Sequence, residues 1–218
     1  MKRDAGVDLI MSWLGARTSA TLRDKVIANM SYVQETLETE EQVLPWFLVT
    51  TNASTTTVTG NERVQLPDDF LVEYEPSALW IKDSSGKYVE LVKEDIDYIT
   101  KKYEGKANGL PKYYALVGNY FYFRPIPDNV YTIRMKYYAR DASIAGTYGD
   151  ANNIENKWLK FASGLVLPLT AALTATRDLQ DPNKAAAYQG EVQAARIKLI
   201  QRTQDVLHTN MKMNMGDD

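Results

Sequence analysis

The stretch whose reading decides the fold opens with Leu66-Pro67-Asp68-Asp69-Phe70-Leu71. It closes with Gly118-Asn119-Tyr120-Phe121-Tyr122-Phe123-Arg124-Pro125-Ile126-Pro127-Asp128 and runs on to Tyr137-Tyr138. Between these ends the apolar residues recur at period two and turn residues separate them. Ala78 to Lys82, Tyr88 to Val92, Tyr113 to Val117, Tyr120 to Arg124 and Tyr131 to Tyr138 have strand composition. In the last, Tyr131, Ile133, Met135 and Tyr137 alternate with Thr132, Arg134, Lys136 and Tyr138, the pattern of a half-buried antiparallel strand. Asp83-Ser84-Ser85-Gly86 and Val117-Gly118-Asn119 carry turn chemistry. On the N-terminal side, Phe47 to Thr51 and the β-branched run Thr55 to Thr59 predict a further hairpin.

Outside this block the period changes to that of helices. Val7, Ile10, Met11 and Leu14 predict a helix over 6–16 that stops at Gly15, and Leu22, Val26, Val33 and Leu37 mark a second, longer one ended before Pro45. Trp158, Ala162, Leu165, Leu169 and Ala172 predict a helix over 154–176, bent at Pro168. Asp181-Pro182 is a start signal for a last helix carrying Tyr188, Val192, Ala195, Leu199 and Val206. The expected fold class is therefore α+β. Residues 1–45 plus 150–208 are expected to form a four-helix bundle, with 46–149 inserted as an antiparallel β-rich lobe and 209–218 as an extended C-terminal arm.

Composition narrows the functional classes. The chain has 218 residues, 25 Lys and Arg against 28 Asp and Glu, no cysteine and one histidine, His208. A formal net charge of -3 supplies no global basic surface for gripping phosphates. Without thiolates, and with a single imidazole, the chain has no thiolate zinc set and no Cys–His or Ser–His pair with a spare histidine. The first apolar run is broken by Asp8 and Ser12, so no secretory leader is expected, and no window approaches the roughly 18 apolar residues of a membrane span. A cytoplasmic site of synthesis follows as the expectation.

The remaining candidate sites are weak as chemistry. Asp68, Asp69, Glu73 and Glu75 cluster, but Pro67-Asp68-Asp69 also reads as a turn with solvated carboxylates. Gly105 to Gly109 lacks the Gly-Lys-Ser/Thr ending of a phosphate loop, and Leu110-Pro111 follows where a helix would have to begin. Between 61 and 104 there are eleven acids and six bases, a local charge of -5 that disfavours a polyanion. Tyr120 to Phe123 meets only Arg124, so these aromatics read as strand core and interface rather than as a base-stacking platform. No catalytic, cofactor-binding or metal-ligating residue is assigned. Met211, Met213 and Met215 alternate with Lys212 and Asn214, either as a frayed terminus or as an arm whose methionines enter apolar pockets of a partner.

Taken in order, Trp46-Phe47, Leu66-Pro67-Asp68-Asp69-Phe70-Leu71, Pro111-Lys112-Tyr113-Tyr114-Ala115-Leu116, Gly118-Asn119, Arg124-Pro125-Ile126-Pro127-Asp128 and Asn156-Lys157-Trp158-Leu159 resemble the head-to-tail adaptor (connector) proteins of tailed bacteriophages, the short-tailed type in particular. The resemblance extends through Tyr137-Tyr138 and the alanine-rich helix at Ala171-Ala172, and so covers most of the chain. Asp68 departs from it, since related proteins carry a small residue there.

The resemblance implies a non-enzymatic virion protein at the head-tail interface: a homo-oligomeric ring of about twelve copies docked on the portal protein. The bundle would build the ring, and Met211, Lys212, Met213, Asn214 and Met215 would bind the portal. Leu66, Pro67, Asp68, Asp69, Phe70, Arg124 and Pro125 would mark the lobe that meets the tail tube or nozzle protein. Double-stranded DNA would pass through the lumen without specific binding; no membrane or cofactor is implied. Ordering ten arm residues on docking would cost on the order of 10 to 20 kcal/mol. The alternatives are another tail-tube or head-completion ring subunit and, from a different class, a cell-wall enzyme working through carboxylates such as Asp68 and Glu73.

Overall fold

The computed structural model describes the backbone of residues 1–15, 19–39, 43–75, 78–151 and 153–214, and the side chains of these except Asn52 and 208–214. The chain divides into two compact units, Met1–Leu48 with Arg140–Asp218, and Val49–Ala139.

The first unit is helical. Its N-terminal part holds α1 (Arg3–Leu14) and α2 (Ala20–Thr39), followed by a single 3-10 turn at Trp46–Leu48. The apolar stripe read from spacing is the buried one: Val7, Ile10, Met11 and Leu14 on α1, and Leu22, Val26, Met30, Val33 and Leu37 on α2, are all sequestered from solvent. Gly15 ends α1 at φ 74, where its N–H reaches the carbonyls of Met11 and Ser12. A left-handed residue at that place is nearly free of strain only for glycine.

The second unit is the β-rich one, and it begins with one strand where a hairpin is expected. β1 (Val49–Thr56) runs unbroken through the threonine-rich segment. β2 (Arg63–Gln65), β3 (Phe70–Glu73), β4 (Leu79–Lys82), β5 (Tyr88–Glu90) and β6 (Val92–Lys93) follow, then a short helix α3 (Ile96–Lys102) that the sequence reading lacks. β7 (Tyr113–Val117), β8 (Tyr120–Arg124) and β9 (Thr132–Ala139) complete it.

Two sheets result. One has the order β1-β9-β4-β5 with β3 also on β9, and the other has the order β2-β8-β7-β6. All pairings are antiparallel except β6 with β7. The core is one apolar cluster that includes Leu79, Ile81, Phe121, Phe123, Ile133 and Met135. Burying each such side chain is worth about 1.5 to 3 kcal/mol, which outweighs the weak intrinsic stability of short strands. β9 alternates in burial as its sequence predicts, with its odd-numbered residues inward.

After Ala139 the chain returns to the helical unit with α4 (Lys157–Phe161), α5 (Ser163–Arg177) and α6 (Pro182–Asn214). The helix expected over 154–176 is two helices: it breaks at Ala162, whose φ of -131 and ψ of 24 are not helical, while Pro168 lies inside the continuous α5. Asp181 accepts the N–H of Lys184 on its side chain at 3.0 Å, as a capping carboxylate before Pro182 should. α5 is the central helix, in contact with α1, α2, α4 and α6. Among the described residues this unit therefore has five α-helices, where four are expected. The helical backbone of α6 extends to Asn214, so 209–214 are helical where an extended arm is expected.

Candidate assembly surfaces

Two buried polar networks shape the helical unit, and both close over sequence separations above 100 residues. In the first, α2 turns Gln34 and Glu38 inward, and both are about 95% buried. Glu38 Oε1 accepts from the Trp158 indole at 2.8 Å, from Gln34 Nε2 at 2.9 Å and from the Asp141 backbone N–H at 3.2 Å. Gln34 Oε1 in turn accepts from the N–H of Ile144 at 3.1 Å and from Asn156 Nδ2 at 3.2 Å. Asn156 caps α4 by accepting from the Leu159 N–H at 3.0 Å, and Asp141 accepts from the N–H of Lys157 at 2.5 Å. Every polar group sequestered here has a partner, which is the condition for such a network to hold structure rather than weaken it.

The second network centres on Arg3, which is fully buried. Its guanidinium donates to Asp4 Oδ1 at 2.9 Å, to the carbonyls of Ala145 at 3.0 Å and Thr147 at 2.7 Å, and to Asp150 Oδ1 at 2.7 Å. Asp4 Oδ2 accepts from the Gly149 N–H at 2.9 Å, so α1 and the 145–150 loop are clasped from both sides. Burial alone would lower the Arg3 pKa, but the hydrogen bonds to Asp150 and Asp4 outweigh it and hold the group above its ordinary value. Gly146 is required here: at φ 138, a Cβ would run into the Arg3 guanidinium.

In the β unit, the residues singled out from the sequence are brought together as architecture. Leu66 is buried and its N–H donates to the Asn119 carbonyl at 3.0 Å. Pro67 accepts from the Phe70 N–H at 3.0 Å, making the turn that aims Phe70 at Phe121 and Tyr137, with ring centroids 5.9 and 5.4 Å away. Asp69 accepts from the Tyr137 hydroxyl at 2.8 Å, and burial followed by this bond raises the Tyr137 pKa well above its ordinary value. Asp68 is exposed. Arg124 is buried and pairs with Glu62 at 2.6 Å, and Pro125 lines an open concavity of about 410 Å³ with Lys101, Glu104, Lys106 and Ile126. Glu73 is buried and paired with Lys93, whereas Asp68 is exposed. No group of three or more His, Asp or Glu placed to hold a metal ion occurs among the described residues.

Met211, Lys212, Met213 and Asn214 lie on the last turn of α6, and Met215 lies outside the described residues. No described helix is long and apolar enough to cross a membrane. The helical unit leaves Leu9, Trp13, Tyr32 and Ile197 exposed, with Ile197 56% accessible. A family model, that of the SU10 adaptor protein, matches residues 7–213 and so spans both units.

The chain belongs to the SU10 adaptor protein family. No individually curated protein matches it. Membership places this chain among phage adaptor proteins, with a structural rather than enzymatic role at the head-tail junction. Several residues of the quoted resemblance are framework in this adaptor: Asn156 and Trp158 cap and anchor α4, and Leu66 to Phe70 tie β3 to β8 and β9. What sequence reading missed is Arg3, Gln34 and Glu38. A charged residue in the first helical turn and two polar residues beside an apolar stripe are ordinary in sequence, and only their distant partners make them unusual.

Proposed function

We propose that this adaptor assembles as a ring of about twelve copies beneath the portal protein, built by the helical unit, with double-stranded DNA passing through its lumen without specific binding. The observation that carries the reading is the family match across 7–213, which includes both the helical unit and the β unit. Three features support it. The helical unit is internally braced by the Arg3 and Glu38 networks, so it suits repetition around a ring. Exposed Leu9, Trp13, Tyr32 and Ile197 offer apolar area for neighbouring copies. The net charge of -3 suits a conduit that lets DNA slide rather than holding it.

The C-terminal segment carrying Met211, Lys212, Met213, Asn214 and Met215 is the portal-docking element. Its helical start lowers the ordering cost that a fully extended arm would carry. The β unit, entered through Leu66-Pro67-Asp68-Asp69-Phe70 and braced by Arg124-Pro125, faces the tail tube or nozzle protein. The setting is the short-tailed type of virion. Electron micrographs of purified portal mixed with this chain provide the test: added rings on one face of the portal are expected, and bare portals would refute it. A second ring role, as a tail-tube or head-completion subunit, predicts binding to tail components at both faces instead.

A further inference from the structure

The outer face of the five-stranded sheet has a composition that no single strand reveals. On β9, Thr132, Arg134, Lys136 and Tyr138 point away from the core, because the alternate residues are buried. Register places Trp80 of β4 opposite Arg134, Glu90 of β5 opposite Trp80, and Tyr88 opposite Lys82. Cross-strand partners share a face, so three strands deliver their side chains to one surface.

On that surface the cations sit on rings. The Arg134 guanidinium lies 4.4 Å from the Tyr88 ring centre and 5.2 Å from that of Trp80, and Lys136 Nζ lies 3.6 Å from the Tyr74 ring centre. Tyr88 remains 39% accessible, and Val72, opposite Tyr138, 46%. The residues that this register brings to the face are three cations, Lys82, Arg134 and Lys136, against one carboxylate, Glu90, although residues 49–139 as a whole hold twelve acids against eleven bases. Glu73 and Glu62 are instead paired elsewhere, with Lys93 and Arg124. Burial lowers the Lys136 pKa, the mark of an ammonium partly withdrawn from water without a counter-charge.

We propose that this face, with Arg134 and Lys136 held over Trp80, Tyr88 and Tyr74, docks an acidic segment of a neighbouring virion protein. The inference rests on the adaptor reading for the identity of that neighbour, and on the face alone for its chemistry. A carboxylate is favoured over nucleic acid for two reasons. The ring faces that would stack bases already carry the cations, and a guanidinium held on two rings is a pre-positioned N–H fork of the geometry that fits a carboxylate. In addition, three cations on a unit of net charge -1 make a local contact rather than a phosphate track.

Fluorescence anisotropy on the full chain tests this, with a short labelled peptide alternating glutamate and small apolar residues, and an oligothymidylate of matched charge. The peptide is expected to bind, and the double variant Arg134→Gln, Lys136→Gln to bind it at least about tenfold more weakly. Its circular dichroism should be unchanged. The charge-matched control Lys101→Gln, Lys106→Gln, on another part of the same unit, is expected to bind as the wild type does. Absent peptide binding, equal loss in the control, tighter binding of the oligothymidylate, or self-association abolished by the double variant would each overturn the proposal. In virion assembly, the double variant is expected to dock on portals and fail on the tail side. A wild-type chain that does not dock on portals refutes the adaptor ring alone, since the peptide titration contains no portal.

Discussion

Trp158 donates its indole N–H to Glu38 Oε1 at 2.8 Å across 120 residues of sequence, joining the start of α4 to the end of α2. The same oxygen also receives Gln34 and the backbone of Asp141. One carboxylate oxygen therefore terminates three donors in the helical unit.

Removing that acceptor should be costly. Glu38→Ala leaves the indole, the amide and a backbone N–H unpaired in a buried site and is expected to lower unfolding free energy by about 2 to 4 kcal/mol. Trp158→Phe removes one donor and leaves a void, for about 1 to 3 kcal/mol. Urea denaturation of the two single variants and the double one should give a coupling of roughly 1 kcal/mol, because the two changes delete the same bond.

Arg3 is a stronger case, since a fully buried guanidinium is left without compensation if its acids are removed. Asp150→Ala should destabilise by about 3 kcal/mol or more. Arg3→Lys should not rescue the wild-type value, because an ammonium cannot span Asp4, Asp150 and two carbonyls. Gly146→Ala is expected to lower the thermal midpoint by disturbing the same site, through both its positive φ and its contact with the guanidinium. Differential scanning calorimetry checks all three.

The Asp83 turn gives a pH signature. Ser85 Oγ donates to Asp83 Oδ1 at 2.7 Å, and this bond first, then the N–H groups of Lys87 and Ser85, lowers the Asp83 pKa below 3.8. Because the folded value is depressed, the stabilisation is present above the unfolded value and is lost as pH falls through the folded one. Carboxyl carbon chemical shifts should show a midpoint below 3.8 in the wild type and a move upward in Ser85→Ala.

The portal-docking element is tested by truncation. A chain ending at His208 lacks the last turn of α6 and all of Met211 to Met215. It is expected to keep its circular dichroism per residue and to lose portal binding in sedimentation. Undiminished binding would remove the arm from the mechanism.

Period and punctuation carried most of the element assignment, because they report local physics. The alternation of Tyr131 to Tyr138, the Asp181-Pro182 start, the Gly15 stop and the Asp83 to Gly86 turn are each decided within a few residues, by pleat, cap or φ. α3 escaped because seven residues with Ile99 as their one buried side chain show no period; its signal was Asp95, which accepts from the N–H groups of Asp97 and Tyr98. The hairpin expected within 47–59 became one strand because β9 pairs with both of its ends, Val49–Thr50 and Ala53–Thr56, across a shift of register between them.

The sequence by itself determined an α+β chain, the positions of most strands, the apolar faces of its helices and a resemblance to phage adaptors. Tertiary structure decided what the polar residues do. Arg3, Gln34 and Glu38 became buried braces only when partners 100 or more residues away closed on them. Likewise, Trp80, Tyr88 and Arg134 became one surface only when three strands took their register. Local backbone preferences are written in neighbouring residues, whereas the cost of an isolated buried charge, or the gain from a paired one, depends on which distant groups the fold brings within about 3 Å.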